Sequence, residues 1–212
     1  MPSDKKSLDV NEINSACTIH YDSIPHSYVG IYRFEEAKKV LFHELIHLFG
    51  LDRKIPLEYD AEIKKRYNLN KNLPCSLKET YSELMGCLLN IYYLSNRNSG
   101  LFYNYLQIEQ AFSIYQLSKI FRFFGIKNIN ELDKLRSNTN LATYYLFKTA
   151  ILIDPSIVDY FGELLKNGLL LENQSLNRFM NYIDNIELIP EYINDVIELN
   201  IDDETMRMTI VD

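Results

Sequence analysis

Tryptophan is absent from this chain of 212 residues, and cysteine is scarce: Cys17, Cys75 and Cys87 are odd in number and form no CxxC pair. That excludes a disulfide framework and a cysteine-built zinc knuckle, and it fits free thiols in a reducing compartment. Long apolar runs are missing too, and none approaches the roughly 18 residues that a membrane span needs. The opening MPSDKKSLDV has lysines with no apolar stretch behind them, which argues against a secretory leader and for an intracellular, cytoplasmic protein. Clustered positive charge is also lacking. The net charge is −7, and the densest basic run, KKR at 64–66, reads as a solvated helix face. Neither a nucleic acid nor a membrane is therefore expected as a partner.

What remains has the balance of a globular protein, with 47% hydrophobic and 24% charged residues. The length suits one sizeable domain or one domain with a helical extension. Tyrosine is abundant at 16 residues, alongside much Ile, Asn and Lys. This is the coding bias of an AT-rich genome, such as that of a large DNA virus, and a viral origin would place the protein in host cytoplasm. It carries no information about activity.

Along the chain, residues 1–15 are polar and read as a flexible N-terminus. ACTIHYD (16–22) and SYVGIYRF (27–34) alternate like strands, with SIPH (23–26) as the turn between them. From Glu35 the period changes. Phe34, Ala37, Val40, Leu41, Leu45, Leu48 and Phe49 recur at helical spacing until Gly50, a residue suited to the left-handed backbone that ends a helix. A charged connection over 51–75 holds a short helix after Pro56, and Ser76 opens a second long helix that runs to the break at 96–100. Beyond it the pattern is helical over 101–124, 128–136, 140–153, 155–167, 173–186 and 190–199, followed by a loose tail over 201–212. The expected fold is mainly α with a small N-terminal β element. Residues 16–100 would form a metal-binding core, and 101–200 a helical region packed on it.

The stretch FHELIHLFGLDR (42–53) carries the chemistry. On a helix of about 3.6 residues per turn, His43 and His47 project from nearly the same azimuth. Their imidazoles can hold one ion at about 2.0–2.1 Å. Glu44 stands about 100° round, placed to take a proton from water on that ion. Two histidines and a glutamate inside an apolar helix are costly unless they serve such a purpose.

HELIHLFGLD resembles the zincin metallopeptidases. The metzincin pattern is not completed, because Arg53 stands where a third histidine is required and a guanidinium cannot bind zinc. The gluzincin pattern is. A second helix carries Glu79-Thr-Tyr-Ser-Glu83, similar to the downstream glutamate helix of the thermolysin, neprilysin and lethal-factor-like peptidases. The resemblance implies a zincin-like core with one Zn²⁺ per chain held by His43, His47 and Glu79, and with Glu83 bonded to a ligand histidine. It also implies peptide-bond hydrolysis through a zinc-bound water with Glu44 as general base, on a peptide or protein substrate.

Some alternatives stay open at this level. Ser76 and Glu79 also fit a capping box, which would turn Glu79 back to its own helix and leave Glu83 as the third ligand. Asp52, His20 and His26 are remoter ligand candidates. Tyr67, Tyr81, His20 and His26 could stabilise an oxyanion, and Tyr28, Val29, Gly30 and Ile31 could form a strand edge for substrate. A different reading altogether is a zincin-derived, non-catalytic binding or scaffold protein with a structural metal.

Overall fold

The computed structural model describes residues 7–8, 13–19, 28–184, 186 and 206–211. The expected turn at 23–26, with His20 and His26, and the expected helix at 190–199 lie outside the described residues. Strand β1 (Ala16–Ile19) pairs antiparallel with β2 (Tyr28–Ile31), with Ala16 opposite Ile31 and Thr18 opposite Val29. Strand β2 ends at Ile31, short of the stretch to Phe34 that the alternating pattern suggests, and residues 20–22 and 27 of the expected strands lie outside the described residues. A 3₁₀ turn over Phe34–Glu36 leads into helix α1 (Ala37–Leu48).

Gly50 stops α1 as expected. Its φ of 63° lets the Gly50 N–H bond the His47 carbonyl at 3.0 Å and the Leu51 N–H bond the Ile46 carbonyl at 3.0 Å. These two bonds satisfy carbonyls that the last turn would otherwise leave bare. Next come α2 (Glu58–Arg66), α3 (Leu77–Leu94) and α4 (Ser99–Phe124). A 3₁₀ turn over Ile129–Lys134 and a π-helical turn over Ala142–Phe147 follow, the latter running into α5 (Lys148–Leu152). Helices α6 (Ile157–Lys166) and α7 (Asn173–Asp184) complete the set among the described residues. The protein is therefore mostly helical with one small antiparallel sheet, and none of these helices is long and apolar enough to cross a membrane.

Helix α3 is the axis of the fold. Its sequence is apolar on nearly every side, and a helix of that kind needs neighbours all round. Leu77, Tyr81, Leu84, Met85, Leu88 and Ile91 have no exposed surface. One continuous hydrophobic cluster extends from Leu8 to Met208, so the region beyond residue 100 shares its core with the N-terminal part.

Helix α1 lies across α3 in backbone contact. A Cβ placed on Gly86 would sit 3.1 Å from the His43 nitrogen and Cβ and 3.2 Å from its Cα. Only a residue without a side chain allows the two backbones to approach so closely.

Both chain ends depart from the sequence reading. Leu8 and Ile13, in the stretch expected to be flexible, are buried, and Leu8 bridges to Ser137. Residues 206–211, expected to be loose, thread between helices with Met206, Met208, Thr209 and Val211 buried. Extended backbone can be buried only if its polar groups find partners. Here the Thr209 N–H bonds Glu36 at 3.0 Å and the Ile210 N–H bonds Glu109 at 3.1 Å. Lys148 and Asn90 donate to the carbonyls of Met208 and Val211, at 3.2 and 2.6 Å. Nothing local marks this segment as held, because its partners lie 60 to 173 residues away, in the 3₁₀ turn before α1 and in α3, α4 and α5.

Replacing Gly86 by alanine should lower stability by about 1–3 kcal/mol, because the overpacking outweighs the roughly 1 kcal/mol that alanine normally adds in a helix. Thermal melting of the variant against the parent checks this. Thiol labelling gives a second check. Cys17 is exposed, whereas burial pushes Cys75 up to about 12 and Cys87 well above the usual thiol range. One fast-reacting thiol of the three is expected in the native protein, identified by mass spectrometry as Cys17.

Candidate metal centre

The α1–α3 crossing brings the sequence-predicted residues together. Nε2 of His43 and Nε2 of His47 lie 3.2 Å apart, and Oε2 of Glu79 is 3.3 Å from the first and 3.4 Å from the second. Three donors about 2.0–2.1 Å from a tetrahedral ion lie about 3.3–3.4 Å from one another. The observed triangle matches that spacing on all three sides. Two imidazole nitrogens and a carboxylate are also a donor set that zinc accepts.

The capping-box alternative for Glu79 is not formed. The Ser76 side chain makes no cap bond, and the Leu77 N–H is taken by Asp60 at 2.8 Å. Glu79 is thereby left to face the histidines.

Each imidazole is held from behind by a carboxylate. Nδ1 of His43 bonds Glu83 at 3.1 Å, and Nδ1 of His47 bonds Asp52 at 3.0 Å. An ionised carboxylate only accepts, so each Nδ1 carries a proton and each Nε2 is the atom turned toward Glu79, with a proton or a metal ion between them. Glu83 is therefore turned away from the ligand triangle, and the alternative that made it a ligand is not supported by its position. Asp52 was legible only as a remote ligand candidate. The helix stop at Gly50 folds the chain back and brings Asp52 under His47, five residues earlier.

The charges of this cluster would favour a cation between them. Burial drives the His47 imidazole down, but hydrogen bonds to Asp52 and then Glu79 outweigh it and hold it at about 10. His43 is likewise raised, with Glu79 and Glu83 overcoming its burial. Burial pushes Glu79 up, yet its bonds to the two histidines bring it well below the usual carboxylate range. Three carboxylates thus converge on two imidazoles, and positive charge between them is strongly favoured, whether as protons or as a divalent ion.

Deeper in the protein, Glu83 forms an ion pair with Lys39, a lysine with no exposed surface. Lys39 remains charged because Glu83 and Glu36 outweigh its desolvation.

Glu44 stands beside the triangle. The Thr18 hydroxyl on β1 donates to its Oε2 at 2.5 Å. Tyr144, on the π-helical turn, donates to Glu79 at 3.2 Å and meets the His43 ring edge-on with centroids 6.2 Å apart. Its burial, and then Glu79, push the phenol far above its usual range, so it stays protonated as a donor. Thr18 and Tyr144 could not be singled out from sequence, since nothing local marks either. π-helical turns do concentrate at functional sites, but the pattern at 140–153 read as ordinary helix.

An open cleft of about 530 Å³ runs past these groups, lined by Thr18, His43, Glu44, His47, Glu79 and Tyr144 among others. The wall nearest Glu44 is β1, through Ala16, Cys17 and Thr18, whereas Tyr28, Val29, Gly30 and Ile31 of β2 do not line it. The expected substrate edge is thus one strand off, because β1 lies between β2 and the cleft. Tyr67 and Tyr81 are also unsuited to oxyanion stabilisation. Their hydroxyls are spent on the carbonyls of Ile183 and Leu169, at 2.5 and 2.7 Å.

With that geometry in place, comparison with known proteins adds little. The chain matches no protein-family model and no solved structure. It is similar to an uncharacterized protein of Acanthamoeba polyphaga mimivirus, 29% identical over 187 residues, covering 78% of this chain and 46% of the relative. The chain thus spans less than half the length of that viral protein, and the likeness agrees with the viral character of the composition.

Substitutions should separate the two tiers of residues. Glu79→Gln or His47→Ala removes a donor and should abolish stoichiometric zinc binding. Asp52→Ala should weaken it by about 10–100-fold, the usual cost of losing a carboxylate behind a ligand histidine. Chelator competition titrations measure both. Lys39→Met should instead appear as lost stability, by about 3–5 kcal/mol, because it takes the ammonium from the buried Glu83 carboxylate and leaves it only the His43 N–H as a direct partner.

Proposed function

We propose that the protein is a zinc-dependent peptidase of the gluzincin type, with one zinc ion per chain held by His43, His47 and Glu79. The observation that carries this reading is the triangle of Nε2, Nε2 and Oε2 atoms at 3.2–3.4 Å, facing an open cleft with Glu44 alongside. Three protein donors and a solvent-facing side are what distinguish a catalytic zinc site from a closed structural one. When bound there, zinc supplies Lewis acidity and a water of lowered pKa.

The remaining chemistry belongs to the chain. Glu44 acts as general base, taking the proton of the attacking water and passing it to the departing amine. Thr18 holds the Glu44 carboxylate in one orientation, so little reorganisation is needed when the proton moves. Tyr144 lines the cleft, unlike Tyr67 and Tyr81, and by turning its one hydroxyl proton from Glu79 it can donate to the oxygen that gains negative charge in the transition state. Glu83 and Asp52 fix the ring planes of the two histidines.

Strand β1 offers the substrate its main-chain groups. Its partner β2 occupies one edge, and among the described residues no strand pairs with the other. An extended peptide laid along that edge passes Thr18 and Glu44. The scaffold reading has less support, since a structural metal has no need of Glu44 or of the cleft.

Glu44→Gln tests the reading directly. It should keep about one zinc per chain while hydrolysis of a mixed peptide library falls by about 10²–10⁴-fold. Zinc binding with no hydrolysis by the parent protein would favour the scaffold reading. Tyr144→Phe should lower kcat by about 10²–10³-fold with KM little changed, since its hydroxyl contributes in the transition state.

A further inference from the structure

Two cations in the cleft have no role in the chemistry above. Arg53 and Lys78 both line it, on the side that carries His47, Asp52 and Glu79. Neither makes an ion pair or a side-chain hydrogen bond among the described residues. The carboxylates near them are already engaged: Glu44 with Thr18, Asp52 with His47, Glu79 with both histidines, and Asp60, which feels the Lys78 charge, with the Leu77 N–H.

Arg53 is exposed, and its side chain runs back toward the end of α1. Its side chain lies over Gly50, where a Cβ would come within 2.2 Å of Nε and 2.7 Å of Cζ. Gly50 therefore serves both the helix stop and the seat of this guanidinium. Lys78 is held by the first turn of α3, next to Glu79. The other polar groups of the cleft, Asn14 and Asn140, are neutral, and with its carboxylates bonded to Thr18 and the histidines, Arg53 and Lys78 are the charged groups of the lining left without a direct partner among the described residues.

We propose that this pair recognises a carboxylate on the substrate, so that the cleft selects peptides bearing an acidic group within one or two residues of the scissile bond. The inference rests on the peptidase reading and names its substrate class. A planar carboxylate can take two parallel bonds from Arg53 while Lys78 adds a second charge. An acidic side chain and a free C-terminal carboxylate present the same chemistry. The first makes the enzyme an endopeptidase with acidic preference, and the second a carboxypeptidase.

The test uses the full chain carrying Glu44→Gln, loaded with zinc, so that binding is read without turnover. Three fluorescent peptides of equal length are compared by anisotropy: one acidic and C-terminally amidated, one neutral with a free carboxylate, and one neutral and amidated. At least one carboxylate-bearing peptide should bind tenfold or more tightly than the neutral amidated one, and the peptide that does so identifies the source of the carboxylate. The advantage should shrink as salt screens it, and it should vanish when Arg53→Gln and Lys78→Gln are added. Equal binding of all three peptides, or a preference that survives the added substitutions, overturns the proposal. Parallel assays of the parent protein keep the two ideas apart. Hydrolysis without acidic preference sinks only the present inference, whereas carboxylate-selective binding without hydrolysis sinks only the peptidase reading.

Discussion

The backbone contact between α1 and α3 at Gly86 is the constraint on which the site depends. With a side chain at that position the two helices would stand further apart, and neither Glu79 nor Glu83 would reach the histidines at the distances seen. Both helices display their polar residues four apart on one face, so one close crossing aligns His43 and His47 with Glu79 and Glu83 together. A single small residue thus fixes the separation of four chemically active ones.

That crossing would be untenable if its charges were left alone. Ionised groups in a dry interior cost several kcal/mol each unless partners offset the lost hydration. Here His47–Asp52 on one side and His43–Glu83–Lys39 on the other pair carboxylates with imidazoles and an ammonium, while buried Glu44 accepts from the Thr18 hydroxyl. Lys39 in turn lies near Glu36, which also receives the Ser15 hydroxyl at 3.0 Å. The arrangement contributes orientation more than stability. It makes the ring planes of the two imidazoles a property of the core rather than of the cleft surface.

Much of this could be read in the residues alone, and the parts that could not have a common cause. The helix over 37–48 and its stop at Gly50 follow from local spacing, and the joining of the two histidines to a glutamate of the next long helix was implied by the resemblance to the gluzincins. The choice between Glu79 and Glu83 did not follow, because it depends on how α1 crosses α3, which sets Glu79 by both Nε2 atoms and Glu83 by Nδ1 of His43. The same holds for Thr18 beside Glu44 and Tyr144 beside Glu79, which reach the site from other elements, 26 and 65 residues away. Strand periodicity marked β1 and β2 equally, and only packing on α1 decides which of them borders the cleft. Local pattern encodes which face of an element is which, whereas contacts between distant segments are settled by the assembled core.

The segment at 206–211 has a bearing on when the site can exist at all. It supplies the backbone donors that satisfy Glu36 and Glu109 and the carbonyl that receives Lys148, and Met208 lies 4.0 Å from the Lys39 ammonium behind His43. During translation these residues are still inside the ribosomal tunnel when α1 and α3 have already emerged. The charges behind His43 therefore gain their last partners only once synthesis has passed residue 211. The inner support of the site is in this way completed late, well after the histidines themselves are made.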